Sequence, residues 1–185
     1  LHWGGDLDAA ADVLRRAVRV LERTTRDPDA RLAIALGALG SLLDDRGELA
    51  EARTVLERAL ALRERIGGPD SPDVIAQLGN YANVLDSEGD LERALAVDAR
   101  ALALQVIDAF EGFDYVVAPS GSCAGMMAKH YPELFEGDPE LQRRARRFSA
   151  KCFELVSFLT DVLGVQSVQA EFPRKVTYHD SCSGL

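Results

Sequence analysis

The sequence predicts a mainly α-helical chain, in which an α-α superhelical repeat of about two and a half units is followed by a partial α/β segment with a parallel sheet. The repeat is indicated by Gly5, Gly47 and Gly89, which lie 42 residues apart and each precede an acidic residue and a leucine. Self-similarity at a fixed period of this length is typical of stacked helical repeats. Beyond the repeats the pattern changes to short β-branched runs. We therefore expect two domains, 1–105 and 106–185.

Each repeat unit is predicted to contain two helices, because apolar residues recur at helical spacing in both halves of the unit. The register also holds far from the glycines, as Leu43 and Leu85 show. Alanines at matching positions of the second helices favour close helix packing: Ala10, Ala52 and Ala94, then Ala17, Ala59 and Ala101. The predicted first helices span 30–45 and 73–87, and the second helices span 49–65 and 91 onward, with 6–23 as a lone second helix.

The predicted helix ends carry the residues that such positions need. Gly47 and Gly89 each follow a first helix, where a left-handed backbone is required and glycine has no Cβ to oppose it. The run 70–73 (DSPD) begins a helix with a capping side chain and an early proline. These local signals predict helix boundaries independently of the apolar pattern.

Composition and charge exclude several classes of function. The net charge is −9, and neither 1–105 (13 basic, 19 acidic side chains) nor 106–185 (8 and 11) has the basic excess of a nucleic-acid binder. The basic run Arg143 to Arg147 is predicted to be a solvated helix face. No run approaches the ~20 apolar residues of a membrane helix. No signal peptide is recognisable, so we expect a cytoplasmic protein. Because the chain begins inside a repeat without Met, we expect a fragment.

Two runs identify the kind of repeat. Residues 68–74 (GPDSPDV) and 78–85 (LGNYANVL) resemble the 42-residue tetratricopeptide class of kinesin light chains and many bacterial regulators. The resemblance covers 1–105 and implies a non-catalytic scaffold whose first helices line a groove for a protein or peptide. It makes Asn80 and Asn83 candidate groove residues, since an asparagine amide both donates to and accepts from a peptide backbone. The alternative is that these amides bond only locally or to water.

The second domain is predicted as strand, helix, strand, the order of a parallel α/β sheet. Residues 114–118 (DYVVA) form a strand candidate that leads through a Ser-Gly-Ser turn into a helix over 123–130. Asp138 is predicted to cap a longer helix that ends at Gly164, and 175–181 is predicted as the second strand. The apolar face of the longer helix follows spacings of three and four: Leu141, Ala145, Phe148, Cys152, Leu155, Leu159 and Val162.

Three cysteines, an odd number without a CxxC pair, disfavour a secreted disulfide framework. Cys152 lies on the apolar helix face and is predicted to be buried, since a free cysteine packs as a small hydrophobe. Cys123 is predicted at a helix N-terminus, where backbone N–H groups and the helix dipole stabilise a thiolate. Cys182 follows the second predicted strand. Because ligands gather beyond the carboxyl ends of parallel strands, Cys123 and Cys182 are candidate metal or cofactor ligands; alternatively, both are unliganded thiols.

The second domain also resembles a known family. Residues 110–127 (FEGFDYVVAPSGSCAGMM), 130–135 (HYPELF) and 176–182 (VTYHDSC) are similar to the cysteine-rich iron–sulfur subunit of lactate utilisation and glycolate oxidation, of the CCG-domain group. The resemblance implies iron–sulfur clusters, electron transfer from oxidised hydroxyacids, and other oxidoreductase subunits as partners. By the same resemblance, Cys123 closes the cysteine set of the first family domain and Cys182 opens that of the second.

The sequence departs from that family in ways that limit its chemistry. The Cys-Cys-Gly motifs of the family would fall before residue 105, where helical repeat stands, and after Leu185; Ser183 stands where the family usually has His. A cluster generally takes about four thiolates, so we expect an incomplete one here. The leading hypothesis is a protein-interaction scaffold fused to a fragment of a lactate- or glycolate-oxidising electron-transfer subunit, which is at most one component of the oxidoreductase.

Two further functions stay open at this point. The first is a protein-binding repeat module whose C-terminal segment is a non-catalytic remnant. The second is a cysteine hydrolase, because residues 121–125 (GSCAG) match the elbow that projects a nucleophile from a tight strand-to-helix turn. His179 and Asp180 would then serve as base and orienting group, although neighbours on a strand point to opposite faces. His130 is predicted to be a surface residue.

Overall fold

The computed structural model describes residues 4–24, 29–167, 169 and 173–175. The described chain is mainly helical, with a small parallel sheet in its C-terminal part, which confirms the predicted fold class. It divides into two compact units, Leu1–Gln105 and Val106–Leu185. Among the described helices, none is both long and apolar enough to cross a membrane.

The first unit is built from helix pairs that follow the 42-residue repeat, and every helix predicted there is present. First helices α2 (Ala30–Asp45) and α4 (Pro72–Ser87) alternate with second helices α1 (Gly4–Thr24), α3 (Leu49–Gly67) and α5 (Leu91–Phe110). Neighbouring helices from α1 to α4 pack on one another, and α2 also contacts α4, so that successive repeats stack.

The turns after the two first helices are alike. Gly47 and Gly89 have positive φ angles of 74° and 83°, which confirms the left-handed conformation predicted for them. The residue after each glycine closes the turn with a backbone bond of 2.9 Å, from Glu48 N to Leu43 O and from Asp90 N to the Leu85 carbonyl. This bond spans six residues, as in a Schellman motif, and satisfies a carbonyl at the helix end.

Helix starts and helix contacts in the first unit also follow from local residues. Ser71 caps α4, its Oγ accepting from Val74 N at 3.4 Å, with Pro72 in the first turn. Where α3 packs on α2, Gly40 leaves no room for a side chain, because a Cβ atom there would lie only 2.3 Å from Leu56 Cδ2. Ala52 is fully buried beside this contact in the core of α3. Small residues therefore set how closely the helices of a repeat approach.

The second unit contains a parallel two-stranded sheet with helical segments between its strands. Val116 pairs with Cys152, Val117 with Phe153, and Ala118 with the next residue, Glu154. The predicted strand at 114–118 is confirmed by strand β1, which spans Val116–Ala118. In chain order the elements are β1 (Val116–Ala118), α6 (Gly121–Gly125), a π-helical turn (Met126–His130), a 3₁₀ helix (Tyr131–Phe135), α7 (Pro139–Ser149), β2 (Cys152–Glu154), α8 (Leu155–Ser157) and a second π-helical turn (Phe158–Val162).

One element of the second unit differs from the sequence prediction. The single helix predicted from Asp138 to Gly164 is wrong: α7 ends at Ser149, and β2 follows. The Lys151 carbonyl accepts a 2.9 Å bond from Val116 N, which draws this segment into the sheet. Of the predicted apolar face, the first four residues (Leu141, Ala145, Phe148 and Cys152) are buried, whereas Leu155 is 43% exposed. The other predicted strand, 175–181, lies outside the described residues apart from Lys175.

Two basic side chains hold together the segments of the second unit. Lys151 Nζ donates to the carbonyls of Phe110, Glu111 and Phe113 at 2.9, 2.8 and 2.7 Å. Arg144 pairs with Asp108 and, at 2.7 Å, with Glu111, and this pairing lowers the pKa of the Glu111 carboxyl. The other arginines of the basic run on α7 are exposed to solvent, as predicted; only Arg144, which makes these ion pairs, is half-buried.

Candidate functional site

Asn80 and Asn83 lie about one turn apart on α4, the first helix of the second repeat. Asn80 is half-buried and Asn83 is exposed. Within the described part of the chain, neither side-chain amide has a hydrogen-bond partner. Each amide can therefore both donate and accept, which is the capacity needed to bind a peptide backbone.

The preceding first helix does not repeat these amides. One period earlier, Ala38 and Ser41 of α2 stand where Asn80 and Asn83 stand in α4. The Ser41 hydroxyl is already occupied, since it donates to the Gly37 carbonyl at 3.2 Å. The polar recognition groups of this helix face are therefore concentrated in the second repeat.

A cavity of about 270 Å³ lies between α2, the end of α3 and the start of α4. Its walls are mainly apolar, with Ile34 and Ile66 among them. A polar pair borders the cavity, because Arg63 Nη1 lies 3.5 Å from Asp73 Oδ1. The cavity has the size and lining to accept an apolar side chain from a partner.

Polar contacts between the repeats were not predicted from the sequence. Arg53 Nη1 lies 3.1 Å from Glu88 Oε2, and the Tyr81 hydroxyl donates to Glu57 at 2.8 Å. Burial, and then the bond to Glu57, raises the pKa of Tyr81. Each contact joins residues 24 or 35 positions apart, so helical spacing gives no signal for it. A comparison of equivalent positions in successive repeats would have marked these residues, because the repeats differ there.

A buried amide also lies between the repeats. Gln77 is 1% exposed, and its side-chain nitrogen and oxygen have no hydrogen-bond partner among the described residues. It packs against Gly37, where a Cβ atom would lie 2.8 Å from Gln77 Oε1. The residue one period earlier is Ala35, so this polar insertion belongs to the second repeat.

Cys123 is exposed near the start of α6, directly after β1 and the turn that follows it. Ser120 occupies the N-cap without a side-chain capping bond; its hydroxyl instead bonds to that of Ser122 at 2.8 Å. The helix α6 packs against both strands. The thiol is thus accessible beyond the carboxyl end of a parallel strand, where it was predicted.

Cys152 is buried, as predicted, although in a strand rather than a helix. Its thiol donates to the Phe148 carbonyl at 3.3 Å. Burial raises the pKa of this thiol to about 11, because a desolvated thiolate is disfavoured. The Cys152 thiol therefore lies in the core and is not placed as an accessible metal ligand.

The third cysteine, Cys182, lies outside the described residues. Its predicted approach to Cys123 is therefore still a prediction. Among the residues that the structure describes, no group of three or more His, Cys, Asp and Glu side chains could hold a metal ion. The sequence has three cysteines, and a cluster generally takes about four thiolates. With Cys152 buried and bonded to the Phe148 carbonyl, these residues do not fit a complete iron–sulfur cluster.

The geometry for a cysteine hydrolase is only partly described. Strand β1, the Pro119-Ser120 turn and α6 form the strand-to-helix elbow around Cys123. His130 is exposed and pairs with Glu133 at 2.9 Å. Seven residues of helical backbone place His130 roughly 8–10 Å along the axis from Cys123, beyond hydrogen-bond reach. The proposed base and orienting group, His179 and Asp180, lie outside the described residues.

A protein-family model matches the helical repeats. The tetratricopeptide repeat model matches residues 1–64 and again residues 31–105, and the two matches overlap. The matched residues together span more than half of the chain. They include α2 and α4, the two helices that carry the candidate groove.

Curated relatives match part of the chain. A stretch of 78 residues is 53% identical to Lactate utilization protein A of Geobacillus thermodenitrificans and, over the same length, 53% identical to that of Geobacillus kaustophilus. The protein of that name in Oceanobacillus iheyensis is 49% identical over 78 residues. Each match covers 42% of this chain and 32% of the relative. The chain thus spans about a third of the length of these relatives.

Proposed function

This chain belongs to the tetratricopeptide repeat family, and from that premise we propose that residues 1–105 bind an extended protein segment along the exposed faces of α2 and α4. The repeats serve as a scaffold and catalyse no reaction. The observation that carries the proposal is the pair of amides at Asn80 and Asn83, which are accessible and unpaired among the described residues.

The two amides would bind the backbone of the segment, and the neighbouring cavity would take one of its side chains. Asn80 and Asn83 lie about one turn apart, so a single extended segment can meet both. The cavity beside Ile34 and Ile66 is mainly apolar, which favours an aliphatic or aromatic side chain. Backbone bonds would supply affinity and the cavity would supply specificity.

Charge favours a partner segment that is neutral or basic. Residues 1–105 carry 13 basic and 19 acidic side chains. Two of the acidic residues, Asp73 and Asp86, are exposed on α4, the helix that carries the asparagines. Opposite charges across an interface raise the association rate and reject unsuitable partners.

A peptide-display selection against the whole chain tests this proposal. Selected peptides are expected to bind the Asn80→Ala, Asn83→Ala double variant about tenfold or more weakly, since several backbone hydrogen bonds are lost. Thr54→Ala is the matched control, because Thr54 is exposed on α3 and bonds only to its own helix at Ala50. Equal binding by the double variant and the control would show that the partner binds elsewhere.

We propose in addition that the segment similar to Lactate utilization protein A is a component of a hydroxyacid-oxidising assembly, fused to the repeat scaffold. The similarity, 53% over 78 residues, supports this assignment. In that role Cys123, and with it Cys182, would contribute thiolates to an iron–sulfur cluster completed by cysteines that this sequence does not supply. The exposed position of Cys123 after β1 is the structural feature that favours this role.

Anaerobic incubation of the whole chain with iron and sulfide tests the ligand role. Iron is expected to bind below the stoichiometry of a full cluster, and Cys123→Ser is expected to lower the bound amount. Cys152→Ser is the control, because the Cys152 thiol is buried and bonded to the Phe148 carbonyl. Iron binding that is unchanged by Cys123→Ser would favour the alternative, a protein-binding module with a non-catalytic remnant.

A further inference from the structure

The repeat unit has an open groove of about 560 Å³ between α4 and α5. Its floor is formed by buried Ile75 and Ala101, and its rim by Leu95 and Leu102, which are 69% and 58% exposed. Leucines so exposed on one side of a helix mark a surface suited to a partner. We call this surface, together with Gly79 and Asp98, the end groove.

The preceding repeat shows what covers such a surface. One period earlier, the equivalent surface lies on α2 and α3, and α4 packs against both helices. Gly37 of that surface packs against Gln77 of α4. The equivalent glycine in the end groove, Gly79, has open space around it: a Cβ atom there would have no neighbour within 4 Å. Ala59 is fully buried at the position equivalent to Ala101. The natural occupant of this kind of surface is therefore a helix.

The polar contacts that hold α4 in place have no counterpart in the end groove. Arg53 pairs with Glu88, Glu57 accepts from Tyr81, and Arg63 lies near Asp73. One period later the residues equivalent to Arg53, Glu57 and Arg63 are Leu95, Ala99 and Gln105. The end groove is consequently more apolar than the junction between the repeats. It is suited to a helix that differs from the first helix of a further repeat of this type.

One acidic group interrupts the apolar lining. Asp98 stands where the preceding repeat has Leu56, a fully buried core residue. Asp98 is exposed, and within the described residues its carboxylate has no hydrogen-bond or ion-pair partner. Covering this carboxylate with an apolar side chain would desolvate a charge without compensation. An occupant must therefore present a basic group at this point.

We propose that the end groove binds an amphipathic helix of a partner protein, whose apolar stripe contacts Leu95 and Leu102 and carries one Lys or Arg that pairs with Asp98. Asn80 and Asn83 are not among the residues that line this surface, although Asn83 follows Gly79 by about one turn of α4. The helix class follows from α4 in the equivalent position, and the basic residue follows from charge complementarity with Asp98.

Two synthetic helices provide the test. Each has 16 residues, the length of α4, with leucines at positions i, i+3, i+4 and i+7; one carries a lysine within this stripe and its match carries glutamate. Fluorescence anisotropy with the whole chain measures both affinities. The lysine helix is expected to bind about tenfold tighter than the glutamate helix, and Asp98→Lys is expected to invert that preference.

The apolar contribution has its own matched pair of variants. Leu102→Glu is expected to weaken binding of the lysine helix by about tenfold or more, the loss for one buried leucine. Leu91→Glu is the control, since Leu91 is 57% exposed on α5 outside the groove lining. Thermal unfolding checks that each variant is folded. Thr54→Ala is expected to leave helix binding unchanged, because Thr54 is exposed on α3 and is not among the residues that line the end groove.

Three results would overturn the proposal. The first is that neither synthetic helix binds the whole chain, or that both bind equally. The second is that Asp98→Lys leaves the preference unchanged. The third is self-association of the free chain that Leu102→Glu abolishes, measured by sedimentation, because the groove would then be covered by a second copy.

Discussion

The Tyr81 hydroxyl donates a 2.8 Å hydrogen bond to the Glu57 carboxylate and so joins the first helix of one repeat to the second helix of the repeat before it. The same oxygen accepts from Arg93 Nη2 at 2.9 Å. One buried side chain thereby connects α3, α4 and α5. One period earlier the position is occupied by Leu39, which has no hydroxyl, so this connection is specific to the second repeat.

We predict that Tyr81→Phe lowers the free energy of unfolding by about 0.5–1.5 kcal/mol, because it removes the hydroxyl but keeps the packed ring. Urea denaturation followed by circular dichroism measures the change. Tyr115→Phe is the matched control, since the Tyr115 ring is 51% exposed and no bond to its hydroxyl is described. If Tyr81→Phe lowers the free energy of unfolding no more than Tyr115→Phe does, the hydrogen bonds of the Tyr81 hydroxyl make no net contribution to stability.

The contact at Gly40 gives a second prediction. Gly40→Ala is expected to destabilise the chain by about 1–3 kcal/mol, because the added methyl group would lie 2.3 Å from Leu56 Cδ2. Gly79→Ala, in the same repeat position as Gly37 and with open space around it, is expected to stabilise by about 0.5–1 kcal/mol through helix propensity. Thermal unfolding distinguishes the two. Equal effects of both substitutions would contradict the close approach of α2 and α3.

The two described cysteines are predicted to react differently with alkylating reagents. Exposed Cys123 is expected to react first near neutral pH, whereas Cys152 is buried with a pKa raised from 9.0 to about 11. The rate at Cys152 should therefore still rise about tenfold per pH unit between about pH 8 and 10, below that pKa. Peptide mass mapping assigns each modified site. Rapid alkylation of Cys152 at pH 8 would contradict its burial.

The raised pKa of Cys152 also sets the sign of a stability change. Below about pH 9 the thiol is protonated in both the folded and unfolded states, so its favourable burial is fully present. As the pH rises from 9 toward 11, the unfolded chain loses the proton more readily, and this stability is lost. Cys152→Ala is expected to flatten that part of the pH dependence of the unfolding free energy.

The three carbonyl contacts of Lys151 predict a local effect. Lys151→Met is expected to loosen the start of the sheet by about 1–3 kcal/mol, because a charged donor to three carbonyls is removed. Hydrogen exchange of the Val116 amide, which bonds to the Lys151 carbonyl, reports the opening. Lys129→Met removes an exposed lysine elsewhere in the same unit and should leave that exchange unchanged. Equal exchange in both variants would argue against the anchoring role.

The repeat unit could be predicted almost completely because its signals are local. Gly47 and Gly89 mark turns by their own conformational freedom, and Ser71 with Pro72 marks the start of α4 within one turn. Such features depend on neighbouring residues in sequence. The second unit was harder, since β2 exists because Lys151 O bonds to Val116 N, 35 positions earlier. No periodicity in residues 141–162 reveals a partner that far away.

The candidate site was predictable in part for the same reason. The helical spacing of Asn80 and Asn83 places them near each other on α4 from the sequence alone. The end groove could not be recognised until the contacts of α4 showed which positions of α3 it covers. Only then can the presence of Asp98, at the position where the preceding repeat has Leu56, be interpreted physically. Comparison between repeats is informative once one repeat junction is known in three dimensions.

The most direct test of the central claim is an NMR titration of the side-chain amides of Asn80 and Asn83. The ligand is a peptide selected by display against the whole chain, and Asn→Ala variants assign the two resonances. We predict that both amide signals shift and saturate together, at the dissociation constant measured independently for that peptide. Saturated binding without any shift of these two signals would contradict peptide recognition on the face of α4.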